Sequence, residues 1–226
     1  MKKMAVINVA IDGPAGAGKS SVSRRVAKTL GYLYVDTGAL YRAVGLSVLR
    51  QDIDPKDRDA VVRTLDDTNV SLRFVDGEQR VFLNDEDVSD LIRTPQASMA
   101  ASDVSAIPAV RDFLFALQKN IAAQNNCLMD GRDIGTVVLP HAEVKIFLTA
   151  SAETRAKRRC LELEEKGTPA PYDEVLSDIV QRDYNVAHRP IAPLRQADDA
   201  VLVDTSDLTF DASYDAVLNI IKEKTA

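Results

Sequence analysis

Apolar residues in this chain gather in short runs, often β-branched, separated by longer amphipathic stretches. Residues 5–11 (AVINVAI), 127–130 (CLMD), 144–148 (VKIFL) and 200–204 (AVLVD) are near-continuous runs, and 32–36 (YLYVD) is a shorter fifth. A strand buried on both faces reads this way, and helical patterns between such strands supply the crossovers of a parallel sheet. Val110, Phe113, Leu114, Leu117 and Ile121 mark one face of a helix that Pro108 can open, and Tyr214, Val217, Leu218 and Ile221 mark another. Residues 152–165 form a highly charged helix, followed by the loop-like KGTPAP at 166–171. One segment breaks the alternation. Residues 70–85 (VSLRFVDGEQRVFLND) have period two on both sides of Asp76-Gly77, a hairpin signal, so residues 65–95 are expected as an insertion on the main sheet. The pattern predicts an α/β fold: five parallel strands flanked by helices, plus a small antiparallel insertion.

Length and composition narrow this only slightly. A chain of 226 residues suits one α/β domain with an insertion and can bury a core without a disulfide or metal staple. The net charge of −6 gives no general case for nucleic acid or an anionic membrane as partner. Cys127 and Cys160 match no metal or redox spacing and are expected to be reduced, in a cytoplasmic protein. The N-terminal MKKMAVINVAIDG faintly imitates a signal peptide, but its apolar run is short, contains Asn8 and leads straight into a glycine loop, so that reading is rejected. No apolar run approaches the ~18 residues that span a bilayer.

The glycine loop carries the first chemistry. Gly13, Pro14, Ala15, Gly16, Ala17, Gly18, Lys19 and Ser20 fit G-x-x-x-x-G-K-S/T, with an apolar strand before and a helix, opening with Ser21, after. Small residues let successive backbone N–H groups curl around phosphate oxygens, and the helix N-terminus adds its positive end. Lys19 is then placed for the outer phosphates and the Ser20 hydroxyl for Mg²⁺. A nucleoside triphosphate is the expected ligand. The Asp-x-x-Gly and Asn-Lys-x-Asp patterns of a regulatory GTPase are missing, and the length and charge do not suit a nucleic-acid motor. A small-molecule kinase remains, its acceptor still open among the small P-loop kinases, with a nucleotide-binding regulator that does not transfer phosphate as the rival from another class.

The acceptor side is read from three clusters. VDTGALYR (35–42) lies where the second strand gives way to a helix, at the carboxyl end where ligands of open α/β sheets collect, with Thr37 as a candidate cap and Arg42 one turn further in. MDGRDIGTVVLP (129–140) follows the third strand: Asp130 ends the apolar run as a metal-side acid, and Arg132 and Asp133 project beyond it. RDYNVAHRPIAPL (182–194) carries Arg182 and Arg189, two turns apart if the helix continues. Four arginines from three separate segments suit an acceptor that is itself a phosphate, whose second pKa of about 6 leaves it largely ionised without a catalytic base. Neither His141 nor His188 is a strong general-base candidate.

Together GPAGAGKSS (13–21), DTGALYR (36–42), DGRDIGTVVLP (130–140) and RPIAPL (189–194) resemble the bacterial cytidylate kinases, in order and spacing, over essentially the whole chain. The resemblance implies a five-stranded P-loop kinase core, a mobile acceptor-binding region at 37–115, a lid at 152–171, and transfer of the ATP γ-phosphoryl group to CMP or dCMP with Mg²⁺. It implies a single domain over 1–226, acting on small molecules, and a monomer is expected. Carried over by position, it places Asp36, Thr37, Arg42 and Arg132 on the CMP side, with Arg42 and Arg132 on its phosphate. Ser102, Arg111 and Asp133 would read cytosine, Arg182 would lie near the sugar, and Arg189 would approach the transferring group. Arg158, with Arg155 and Arg159 beside it, would clamp ATP, although RAKRR also reads as a solvated helix face. The base assignment makes chemical sense, because cytosine offers an amine for Asp133 to accept and two acceptors for Arg111 and Ser102. The chain departs from the family pattern R-D-x-x-D-x-x-R at one place: Val186 stands where the second aspartate would help bind the sugar.

Overall fold

The computed structural model describes residues 6–75 and 78–226, so the expected Asp76-Gly77 turn lies outside the described residues. The chain runs β1 (Asn8–Asp12), α1 (Lys19–Leu30), β2 (Leu33–Asp36), α2 (Thr37–Arg50) and α3 (Arg58–Thr64). Next come β3 (Val70–Val75), β4 (Glu78–Leu83), β5 (Glu86–Asp87), α4 (Pro95–Val104) and α5 (Pro108–Gln124). After them follow β6 (Cys127–Gly131), β7 (Val144–Thr149), α6 (Ala152–Glu165), α7 (Tyr172–Ala187), β8 (Val201–Asp204) and α8 (Phe210–Thr225).

The five apolar runs make one five-stranded parallel sheet in the order β2-β6-β1-β7-β8. Ile11 of β1 stands opposite Ile146 of β7, and Ile146 opposite Val201 of β8. Covering on both faces explains the near-continuous apolar sequence: Val9, Ala10 and Ile11 of β1, and Cys127, Leu128 and Met129 of β6, expose no surface. Only β8, at an edge, alternates, with Val203 buried and Leu202 exposed. Cys127 is buried, Cys160 half-buried, and both are free thiols. Among the described residues no helix is long and apolar enough to cross a membrane.

Residues 33–127 form the body of one compact unit. Its core is apolar, built around Leu40, Val44 and Val48 of α2, Val61 of α3, Ile92, and Leu114 of α5. Close approach of α2 and α4 depends on Gly45, where an added Cβ would lie 3.0 Å from Ala100 Cβ. The hairpin forms as expected, Leu72 opposite Val81, but it does not extend the main sheet. It makes a separate three-stranded sheet, β3-β4-β5, whose Val70, Val81 and Leu83 enter the core with α2. Burial of that face in its own core decides the pairing, which strand pattern alone does not encode. On α5 the buried stripe runs through Val110, Arg111, Leu114, Gln118 and Ala122, with Phe113, Leu117 and Ile121 half-buried at its flank.

Residues 7–32 and 128–226 make the second unit. In it α1 packs with α8, burying Val22 and Val26 on one and Val217 and Ile221 on the other, and α6 packs with α7.

Candidate active site

The phosphate loop has the expected setting, β1 ahead of it and α1 behind. Gly13 is demanded by close approach: its φ is +148°, and a Cβ there would lie 1.9 Å from the Leu148 carbonyl oxygen of β7. Gly18, at φ +90°, stands before α1 without a side-chain cap, so the first N–H groups of the helix point into the loop. Lys19 is buried and donates from Nζ to the Pro14 carbonyl at 2.8 Å, which folds its charge back over the loop. Ser20 Oγ donates to Asp130 Oδ2 at 2.8 Å, and Asp130 is itself buried at the end of β6. Lys19, Ser20 and Asp130 are thus gathered at one strand end.

Behind the loop stand the arginines of α6 that the sequence offers as an ATP clamp, together with Asp183, Thr205 and Asp12, to which sequence reasoning gave no role. Arg155, on the charged α6, is buried rather than solvated. It donates to Ala15 O at 3.1 Å and Ala150 O at 2.9 Å, and forks onto Asp183 of α7 at 3.1 and 2.5 Å. Its helix position looked outward only because its partners lie far off in sequence. Arg158 donates to the Thr205 carbonyl at 2.6 Å, and Thr205 Oγ1 donates to Ala17 O at 3.3 Å and Thr149 O at 3.0 Å. Arg159 pairs with Glu162 on the exposed face, where the solvated reading holds. Asp12 is buried, and burial pushes its carboxyl up to about 6, against the pull of backbone N–H donors from Gly135 and Ile134.

Beyond Asp130 lie Arg132, donating to the Gly131 carbonyl at 3.1 Å, and Asp133, buried, with Arg189 Nη2 3.4 Å from its Oδ1. Arg189 also donates from Nε to Ala192 O at 2.7 Å. One expectation is corrected here. α7 ends at Ala187, so Arg182 and Arg189 do not share a helix face: Arg182 lies on the exposed side of α7, while Arg189 comes from the loop after it. That loop turns back, Leu194 N–H donating to the Val186 carbonyl, and Val186 is half-buried. His188 stacks on Tyr184 with ring centroids 4.1 Å apart, and His141 is exposed in a turn.

In the first unit, Asp36 rather than Thr37 caps α2: its Oδ1 accepts from Ala39 N–H at 3.0 Å, while Thr37 is the buried first residue of the helix. Asp36 Oδ2 also accepts from Arg42 Nη2 at 2.8 Å, and Gln79 Oε1 of β4 accepts the Asp36 N–H at 2.9 Å. Arg42 Nε is buried and has no hydrogen-bond partner among the described residues, so the guanidinium keeps donor capacity. Arg111 is buried with its guanidinium 6.0 Å from the centre of the Tyr41 ring, and Ser102 is exposed on α4.

Comparison with known proteins gives one consistent answer. The model of the family described as cytidylate kinase matches residues 9–223. A cytidylate kinase of Caldicellulosiruptor bescii is 53% identical over 97% of this chain and 96% of its own. One from Carboxydothermus hydrogenoformans is 49% identical over 96% and 98%. Among solved structures, an uncharacterized protein from Eubacterium ventriosum has a TM-score of 0.51 at 12% identity, over 96% of this chain and 98% of that one, a likeness of fold.

Proposed function

The chain belongs to the cytidylate kinase family, and we propose that it performs that family's reaction with the residues gathered around its phosphate loop. It is a nucleoside monophosphate kinase: ATP is the co-substrate, and CMP and dCMP are the acceptors. The observation that carries the reading is the loop itself, where Lys19 folds back onto Pro14 O and Ser20 meets the buried Asp130. A mere binder has no need of the acceptor residues that follow.

Transfer joins an oxygen of the CMP phosphate to the γ-phosphorus of ATP and breaks the bond from that phosphorus to the β,γ-bridging oxygen, releasing ADP and CDP. The acceptor is already ionised, so no base is required, and the protein supplies positioning and charge. Loop N–H groups and Lys19 hold the ATP phosphates, and Arg189 stabilises charge on the moving group. For CMP we propose Arg42 and Arg132 on the phosphate, with Asp36 orienting Arg42 through their ion pair and Thr37 completing that helix start. Arg182 serves the sugar. Ser102, Arg111 and Asp133 serve the base. Residues 152–171 are the proposed lid, with Arg158 its contact to ATP.

Mg²⁺ fits the Ser20–Asp130 pair, since both are hard oxygen donors already 2.8 Å apart. No group of three or more His, Cys, Asp or Glu side chains arranged for a metal occurs among the described residues, and Mg²⁺ commonly takes most of its ligands from water and phosphates. When bound it neutralises phosphate charge.

An ATP-consumption assay with CMP, UMP, AMP and GMP tests the proposal. CMP is expected to give the highest kcat/KM. Turnover that is equal for all four overturns the base assignment, and no turnover favours a regulator.

A further inference from the structure

Asp12 ends β1, yet its carboxylate serves the segment that follows β6. Oδ1 accepts from the Ile134 N–H at 2.8 Å and Oδ2 from the Gly135 N–H at 2.7 Å. Those two donors open a π-helical turn, Ile134–Val138, and Asp133 stands at its N-cap position. The Asp133 carbonyl accepts from Val137 N–H at 2.9 Å and Val138 N–H at 3.2 Å. At the far end Lys145 of β7 donates from Nζ to Pro140 O at 2.5 Å. Such turns are rare in helical structure and concentrate where a backbone is held for a purpose.

An aspartate at an N-cap ordinarily spends its carboxylate on the first N–H groups of its own helix, where it is among the favoured residues. Asp133 makes no such bond. Its place is taken by a carboxylate from 122 residues upstream, and Asp133 stays buried with its own carboxylate toward Arg189. The space is made for this arrangement. A Cβ on Gly135 would lie 3.3 Å from Asp12 Oδ2 and 3.2 Å from Lys145 Cδ, tighter than side chains normally pack.

We propose that Asp12 is a positioning residue: by capping the turn in place of Asp133, it keeps the Asp133 carboxylate turned toward the cytosine amine. This rests on the reading of Asp133 as the group that recognises the base. Without Asp12 the Asp133 side chain swings onto the vacated Gly135 N–H, the second of the turn and within reach of an N-cap side chain, and the site loses the acceptor that tells cytosine from uracil.

The test is the CMP/UMP ratio of kcat/KM at saturating ATP, which a general loss of fold or of ATP binding lowers for both acceptors alike. In Asp12→Asn the amide nitrogen faces one of the two N–H donors, and the ratio is expected to fall about tenfold, the scale of one base-edge contact. Gly135→Ala, whose methyl crowds Asp12 Oδ2, should lower it in the same direction and decides the matter if Asp12→Asn does not fold. A ratio unchanged in both variants, while Asp133→Asn lowers it, overturns the role of Asp12 alone. A ratio unchanged in Asp133→Asn removes the base reading and this inference with it.

Discussion

At the scale of single residues, the site separates groups that touch nucleotide from groups that hold them. Lys19→Ala should cost about 10²–10³ in kcat. Its amine donates to a carbonyl of its own loop, and the fold is expected to survive, which circular-dichroism melting checks beside the assay. Asp133→Asn turns one acceptor position into a donor and should lower the CMP/UMP preference about tenfold, read from kcat/KM with each acceptor. Val186 is half-buried near the end of α7, where the family pattern has an aspartate. Val186→Asp should lower KM for CMP by about two- to tenfold, the worth of one net hydroxyl hydrogen bond; an unchanged KM means another group already binds the sugar. Part of this was readable in the sequence, because Lys19, Ser20 and Asp130 sit in a local pattern whose spacing is itself the chemistry. The roles of Asp183, Thr205 and Asp12 were not, nor was the burial of Arg155, which the sequence offered only as one of three arginines near ATP. Each acts through a partner dozens of residues or more away, and a charged residue in a charged helix looks solvated until its partner is seen.

At the scale of elements, parallel strands announced themselves because both faces are covered, so their apolar runs are nearly continuous, broken only at such positions as Asn8 and Lys145. Boundaries were less well marked: the cap of α2 falls on Asp36, one residue before the threonine that resembles one, since both types cap well and only geometry chooses. The hairpin was visible from its alternation, whereas the sheet it joins was not, because register and partner are settled by which core the apolar face enters. The α2–α4 contact gives a direct check. Gly45→Ala places a methyl 3.0 Å from Ala100 Cβ and from Ala101 N, an overpacking expected to cost about 1–3 kcal/mol, measured as a shift in urea midpoint at constant m.

At the scale of the whole molecule, stability against pH is a balance of carboxylates pulled in opposite directions. Hydrogen bonds from Ser206 hold Asp204 below its ordinary range, and Lys166 and Arg159 do the same for Glu162; such groups add stability that is lost as pH falls. Asp12 has the reverse sign. Its folded pKa of about 6 exceeds the ordinary 3.8, so its contribution is fully present below the lower value and disappears as pH rises through the upper one. That difference corresponds to roughly 3 kcal/mol. Asp12→Asn should therefore lose less stability than the native protein between about pH 4.5 and about pH 7.5, compared as urea midpoints at both pH values; parallel shifts in the two proteins would refute it. The division of the second unit into residues 7–32 and 128–226 has a consequence for how the protein is made. Thr205, which backs the phosphate loop at Ala17, lies 188 residues downstream of it, so at ordinary rates of synthesis the ribosome needs about 10–40 s to deliver it. Until then Thr205 is not available to close the phosphate loop from behind, while the continuous stretch 33–127 already contains every residue of its own core. Firm retention of ATP is therefore expected only in chains that extend through Thr205, so that competence arrives late in synthesis and nearly all at once.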